Sequence, residues 1–184
     1  MSERADRIIA EAAQLFAQRG FGATSIDDIG AAVGISGPAI YWHFVGKQAL
    51  LAAMLIDISE RLLDGARSSV EESASGVDAV VRLVALQVAF ALREPDLIVI
   101  HGRDLHHLDA AQAQKVRLLQ RQYIDVWTTV LTSTHPDLAR NRLGAAVRAV
   151  IGLINSTPNL GRVDRKSLEP MLVAMALAAL AAIS

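Results

Sequence analysis

The chain of 184 residues contains no cysteine, which excludes a disulfide scaffold, a thiolate zinc site, an iron–sulfur cluster and a cysteine nucleophile. Excess charge is missing too. With 18 basic and 19 acidic residues the net charge is −1, so the molecule is no polycation and any surface for nucleic acid has to be local. Long apolar runs are missing as well. The longest, Met171–Ile183, is shorter than the ~20 residues a bilayer span needs, and Met1-Ser2-Glu3-Arg4 carries charge where a secretory signal would be apolar. A cytoplasmic protein with no membrane partner is expected. Aromatics make up only 4%. What remains is 52% hydrophobic and 20% charged, rich in Ala, Leu, Val and Ile, enough for a sizeable core and favourable to helices.

Helical spacing recurs along the chain. Ser2 can cap a first helix carrying Ile8, Ile9, Ala12, Leu15 and Phe16, closed at Gly20. Ser25 caps a short second helix with Ile26, Ile29 and Val33, ended by Gly34. Ser36 caps a third of about eight residues, with Pro38 in its first turn. A long fourth helix runs from Lys47 to Glu72, with Leu50, Leu51, Met54, Leu55, Ile58, Leu62 and Leu63 on one stripe. Further helices are expected at 77–93, 96–108, 110–133, from Pro136–Asp137 to 156, and at 166–183, the last with Ser167 and Glu169 near its start. Period-two alternation is nowhere sustained, and Leu97–Ile100 alone is ambiguous. The class is all-α with about nine helices.

Three short helices broken by glycines form a helix-turn-helix pattern. Gly34 allows the positive φ of a sharp turn, and Ile35 plugs that turn into the core. Ser36, Gly37, Pro38 and Ala39 are small enough to approach DNA closely. Tyr41, Trp42 and His43 offer O–H and ring N–H donors for phosphates, and Lys47 adds a cation. Ile40 and Phe44 fall on inner faces and are assigned to packing.

The stretch from Phe21 to Leu50 resembles the DNA-binding signature of the TetR (tetracycline-repressor) family. That pattern, T-S/T-x-x-x-I-A-x-x-A/L-G-V/I-S-x-G/P-x-x-Y-x-H-F-x-x-K-x-x-L, is met without a gap by Thr24, Ser25, Ile29, Gly34, Ile35, Ser36, Pro38, Tyr41, His43, Phe44, Lys47 and Leu50. The resemblance implies a homodimer that binds a palindromic operator in double-stranded DNA, usually as a repressor. It also implies a C-terminal domain that binds a small molecule and dimerises through its last two helices. By position, Ser25, Tyr41, His43 and Lys47 would lie on phosphates, with Gly37, Pro38, Ala39 and Trp42 at the groove or its rim. The domains would be 1–47 (helix-turn-helix) and 48–184 (regulatory). Two positions depart from the family: Asp27 and Gly37 stand where basic residues are frequent. Few cations imply a shallow salt dependence of DNA binding.

In the second domain Tyr123 and Trp127, with Phe90, His101 and Asn155, are either ordinary core or the lining of a pocket with a few polar groups. Arg103 is a candidate anchor for an anionic head at its mouth. An aliphatic lining suggests a small hydrophobic effector such as a fatty acid or acyl-CoA. His101, Asp104 and His107 fall at i, i+3 and i+6, but a di-iron site needs a second carboxylate-x-x-His motif and none is present; no metal and no cofactor are expected. Gly144, Ala145, Ala149 and Gly152, with Ala174, Ala178 and Ala182, form two small-residue stripes suited to a helical dimer interface or to internal packing. The expected function is a ligand-responsive regulator, not an enzyme. The rival classes are an all-helical metal-dependent enzyme and a ligand-free architectural DNA binder.

Overall fold

The computed structural model describes residues 3–161 and 163–183. Nine α-helices and no strand occur among them: α1 Glu3–Arg19, α2 Ile26–Val33, α3 Gly37–Ile40, α4 Lys47–Glu71, α5 Gly76–Arg93, α6 Pro95–Asp104, α7 Ala110–Thr134, α8 Arg140–Ile154 and α9 Arg165–Ala181. Two 3-10 turns, Leu105–His107 and Thr157–Asn159, join them. The chain forms two compact units. One runs to Ile58 and takes in Asp96–Arg117; the other comprises Ser59–Pro95 and everything from Leu118.

In the first unit α1 turns Ile8, Ala12 and Phe16 inward at spacings of four. α2 packs against α1 and α3, and Leu50, Leu51, Met54, Leu55 and Ile58 of α4 are buried. The ambiguous run at 97–100 is helical, with Leu97 and Ile100 inward. α6 also carries a buried carboxylate, Asp104. Arg103 pairs with it at 2.9 Å, and the same guanidinium donates to the carbonyls of Phe16 and Ala17. Those carbonyls lie in the last turn of α1, where a cation is favoured, and the Phe16 carbonyl also accepts from the Gly20 N–H at 2.8 Å.

In the second unit α5, α8 and α9 pack on one another. α8 buries Leu143, Val147, Val150 and Ile154, and α9 buries Leu168, Leu172, Ala176 and Leu180. Each such aliphatic side chain contributes about 1.5–3 kcal/mol relative to exposure. A bidentate pair joins Arg61 to Glu94 at 2.8 and 2.9 Å.

Several boundaries differ from expectation. α3 is four residues long, not eight, because the backbone passes into tight turns from Tyr41. Ser36 holds the N-cap position, but its side chain makes no capping bond. Pro136 and Asp137 lie in a turn closed by Leu138 N–H on the His135 carbonyl (3.2 Å), and α8 begins only after the extended Ala139. Asp164 caps α9, which begins at Arg165. Ser2, the expected cap of α1, lies outside the described residues.

Replacing Arg103 by Met keeps the apolar stem but strands Asp104. The guanidinium is half in water, so the loss of unfolding free energy should fall below that of a fully buried pair, about 1–3 kcal/mol. Denaturant titration should show the double variant R103M/D104L recovering at least half of it.

Candidate nucleic-acid interface

The helix-turn-helix begins at a buried hydroxyl. Thr24 Oγ1 donates to the Gly20 carbonyl at 2.9 Å, which closes the loop after α1. Ser25 then starts α2 with a reciprocal capping box: its N–H donates to Asp28 Oδ2 at 2.8 Å, and the Asp28 N–H donates to Ser25 Oγ at 3.0 Å. The Ser25 hydroxyl also donates to that carboxylate. These bonds, the side-chain one foremost, hold the Asp28 carboxyl below its ordinary value, with Arg19 at 3.7 Å adding a smaller pull. The Ser25 proton is thus already engaged inside the protein, although the residue is exposed.

The turn has the expected chemistry. Gly34 sits at φ +77° and its N–H reaches the Ala31 carbonyl at 3.2 Å, while Ile35 N–H caps Gly30 at 2.9 Å. Ile35 is half-buried. The approach of α2 to α3 is closer than the sequence suggested. A Cβ on Gly30 would lie 2.9 Å from the Ile35 carbonyl oxygen and 3.0 Å from the Gly37 nitrogen. A Cβ on Gly37 would fall 1.8 Å from Asp27 Oδ1. Gly37, expected at the groove or its rim, is therefore buried beneath Asp27.

The outward edge is made by the residues that follow. Pro38 and His43 are exposed and Ala39 is half-buried. Tyr41 is exposed, Trp42 is 89% exposed and Val45 91%. Ile40 and Phe44 point inward and are buried, as their spacing predicted. Lys47 behaves otherwise than expected of a phosphate ligand. Its Nζ donates to the carbonyls of Phe21 (2.6 Å) and Thr24 (2.7 Å) and stands 4.4 Å from the Phe21 ring centroid. Two of its three donors thus brace the loop ahead of α2.

Residues 8–54 match the family model described as bacterial regulatory proteins, tetR family. The repressor KstR2 of Rhodococcus jostii is 30% identical over 135 residues, 71% of this chain and 64% of that protein. A TetR-family regulator from Bordetella parapertussis superposes with a TM-score of 0.86 at 27% identity, covering 96% of this chain and 95% of that one. The chain belongs to the TetR family of transcriptional regulators. FadR of Bacillus subtilis, solved with stearoyl-CoA, shares the fold at a TM-score of 0.74 and 14% identity, over 95% of this chain and 98% of that one. Among the curated relatives matched, coverage falls as low as 18% of the relative's length.

This TetR-family chain distributes the six expected effector residues over both units. Phe90, Tyr123, Trp127 and Asn155 belong to the second unit, His101 and Arg103 to the first. Phe90, Tyr123 and Trp127 are buried. Tyr123 and Asn155 are joined through Gln87, a buried side chain that the sequence reading passed over. Arg103 is committed to Asp104 and the end of α1 and is withdrawn as an anchor for an anionic head. His107 stacks on Phe21 at 4.5 Å, and no group of three metal-ligating side chains occurs among the described residues. No described helix is long and apolar enough to cross a membrane.

Two predictions follow from the α2–α3 contact and the cap. Gly37→Ala forces Asp27 aside and should lower stability by about 1 kcal/mol, and Asp27→Ala in the same chain should restore most of it, read by thermal unfolding. Ser25→Ala should cost about 0.5–2 kcal/mol at pH 7. Because Asp28 is depressed in the folded state, its contribution is present above the ordinary carboxylate pKa and disappears as pH falls through the folded value. The gap between wild type and Ser25→Ala should therefore narrow below about pH 4, and a constant gap would contradict the cap assignment.

Proposed function

We propose that the chain acts in the cytoplasm as a homodimeric, ligand-responsive repressor that binds a palindromic operator through Ser36, Pro38, Ala39, Tyr41, Trp42 and His43. The observation that carries this reading is the exposed edge after α3. Small Pro38 and Ala39 lead, and Tyr41, Trp42 and His43 present O–H and N–H donors to solvent while Ile40 and Phe44 fix the backbone behind them. A tryptophan 89% exposed marks a surface that meets a partner, and groove walls offer phosphate acceptors beside apolar thymine methyls. Ser25 and Lys47 act in this reading by shaping the loop that delivers the edge, and Gly37 by admitting Asp27.

Dimerisation through α8 and α9 is supported by what those helices leave uncovered. Met171 and Met175 are exposed, together with Ala174, Ala178 and Ala182 on α9 and its end, and Ala145, Ala149 and Gly152 on α8. Small side chains let facing helices approach, and the methionines supply adaptable apolar area. Two copies so joined would present recognition edges roughly 34–36 Å apart, one turn of DNA. An effector in the second unit would lower operator affinity only by its differential affinity for two states. The repressor direction follows the name of KstR2, and the effector class, a small hydrophobic molecule of the acyl kind, the stearoyl-CoA bound by FadR.

Selection from a random duplex pool should return a palindrome. Against it, Trp42→Ala should weaken binding at least tenfold, whereas Met175→Glu should yield monomers in sedimentation and lose the palindrome preference. The slope of log K against log salt should be shallower than about −6, the value expected of a protein neutralising six or seven phosphates. A selected sequence without two-fold symmetry would overturn the dimer reading, and an operator affinity indifferent to every effector class would favour the architectural alternative.

A further inference from the structure

Within the second unit, three helices contribute to one directed chain of hydrogen bonds. The Tyr123 hydroxyl donates to Gln87 Oε1 at 2.7 Å, and Gln87 Nε2 donates to Asn155 Oδ1 at 2.8 Å. Gln87 is 1% exposed. Burial pushes the Tyr123 phenol far above its ordinary value, with Trp127 pulling weakly the other way, so the hydroxyl keeps its proton and the direction of the chain is set. Trp127 stands edge-on to Tyr123, ring centroids 6.1 Å apart, and is itself 1% exposed. Its indole N–H is buried and, although it lies near enough to the Tyr123 hydroxyl to pull weakly on it, makes no hydrogen bond of normal geometry, alone in this among the buried side chains described.

Folded proteins rarely leave a buried N–H without an acceptor. An indole nitrogen can only donate, so whatever completes Trp127 brings an acceptor. The surroundings also fix its charge. Leu83, Val84, Val88, Phe90, Leu131, Val147 and Ile154 are buried in this unit, and among the described residues no lysine, arginine or histidine of it is. An ionised head group drawn to Trp127 would leave water with no counter-ion to meet it.

We propose that the Trp127 indole N–H is the polar anchor of the effector site and takes a neutral carbonyl oxygen (ketone, ester, thioester or amide) on an otherwise apolar molecule. This rests on the ligand-responsive reading above and narrows it: an acyl thioester fits the anchor, and a free fatty acid does not. Tyr123, Gln87 and Asn155 hold the ring wall beside the anchor and are positioning residues.

The test uses the full chain labelled with 15N, whose two indole N–H resonances are assigned with Trp42→Phe. Titration with 2-undecanone and with methyl decanoate should move the Trp127 indole proton downfield and saturate. Undecane and decanoate, of matched length, should leave it in place. Trp127→Phe should weaken binding of 2-undecanone by about tenfold in calorimetry, the loss of one hydrogen bond. The resonance readout on the unsubstituted chain stands even if that variant fails to fold. An indole signal unmoved by both carbonyl probes, or moved as readily by decanoate, overturns the proposal. Operator binding measured alongside separates the two levels. Release by some effector with the indole signal still would sink the anchor and leave ligand response intact. A carbonyl-shifted indole with operator binding unchanged would uphold the anchor and remove ligand response.

Discussion

The exposed edge from Pro38 to His43 depends on how closely α3 lies on α2. Where the family pattern has alanine, this chain has Gly30, and that lets the Ile35 carbonyl and the Gly37 nitrogen come to within 2.9–3.0 Å of where a Cβ would be. Asp27 then closes over Gly37 from above. Asp27 and Gly37, two of the departures from the family pattern, are therefore one packing solution. A longer side chain at position 37 and a carboxylate at position 27 would compete for the same space. The exposed edge starts at Pro38 as a result and lacks a cation at its head. Backbone approach of this kind cannot relax by rotamer change, so the orientation of Tyr41 and Trp42 is inherited from residues packed behind them.

Local signals were legible in the sequence, and through-space ones were not. Ser25 followed by Asp28, Gly34, and the spacing of Ile8, Ala12 and Phe16 each act within a few residues, so the limits of α2 and the inward face of α1 could be read directly. Ile40 and Phe44 could be assigned inward for the same reason. Gly37 could not, because a residue without a side chain carries no pattern that reports its burial. The short α3 was overestimated because Tyr41 to Phe44 keep helix-like spacing while the backbone has passed into turns. Pro136 and Asp137 look like a helix start, and only the bond from Leu138 to His135 shows that a turn comes first.

Lys47 and Arg103, read in the sequence as cations open to a ligand, are engaged in the same way. Lys47 finds Phe21 and Thr24 at separations of 26 and 23 residues, and Arg103 finds the end of α1 at 86 and 87. In both cases the acceptors are main-chain carbonyls where regular structure breaks off, and nothing in the local sequence announces such a carbonyl. Buried or half-buried carbonyls must find donors, and long basic side chains can reach them while keeping their stems on apolar surface. What reads in sequence as a basic residue available to a phosphate or a carboxylate is, in this fold, a brace.

That use of charge shapes what the protein can discriminate. Coulomb attraction between a basic surface and DNA draws in every sequence alike and fades with salt. With Lys47 and Arg103 engaged by main-chain carbonyls and Asp27 beside the exposed edge, fewer cations of the first unit are left to supply that attraction. What it retains is a set of neutral donors and apolar faces: Tyr41, Trp42, His43, Pro38 and Ala39. Such groups favour a partner whose acceptors and methyls coincide with them, since a mismatch leaves polar groups desolvated and unpaired. Under the proposed operator reading, weak general affinity and steep dependence on fit would be two consequences of the same choice, made where the chain lets its cations hold the fold together.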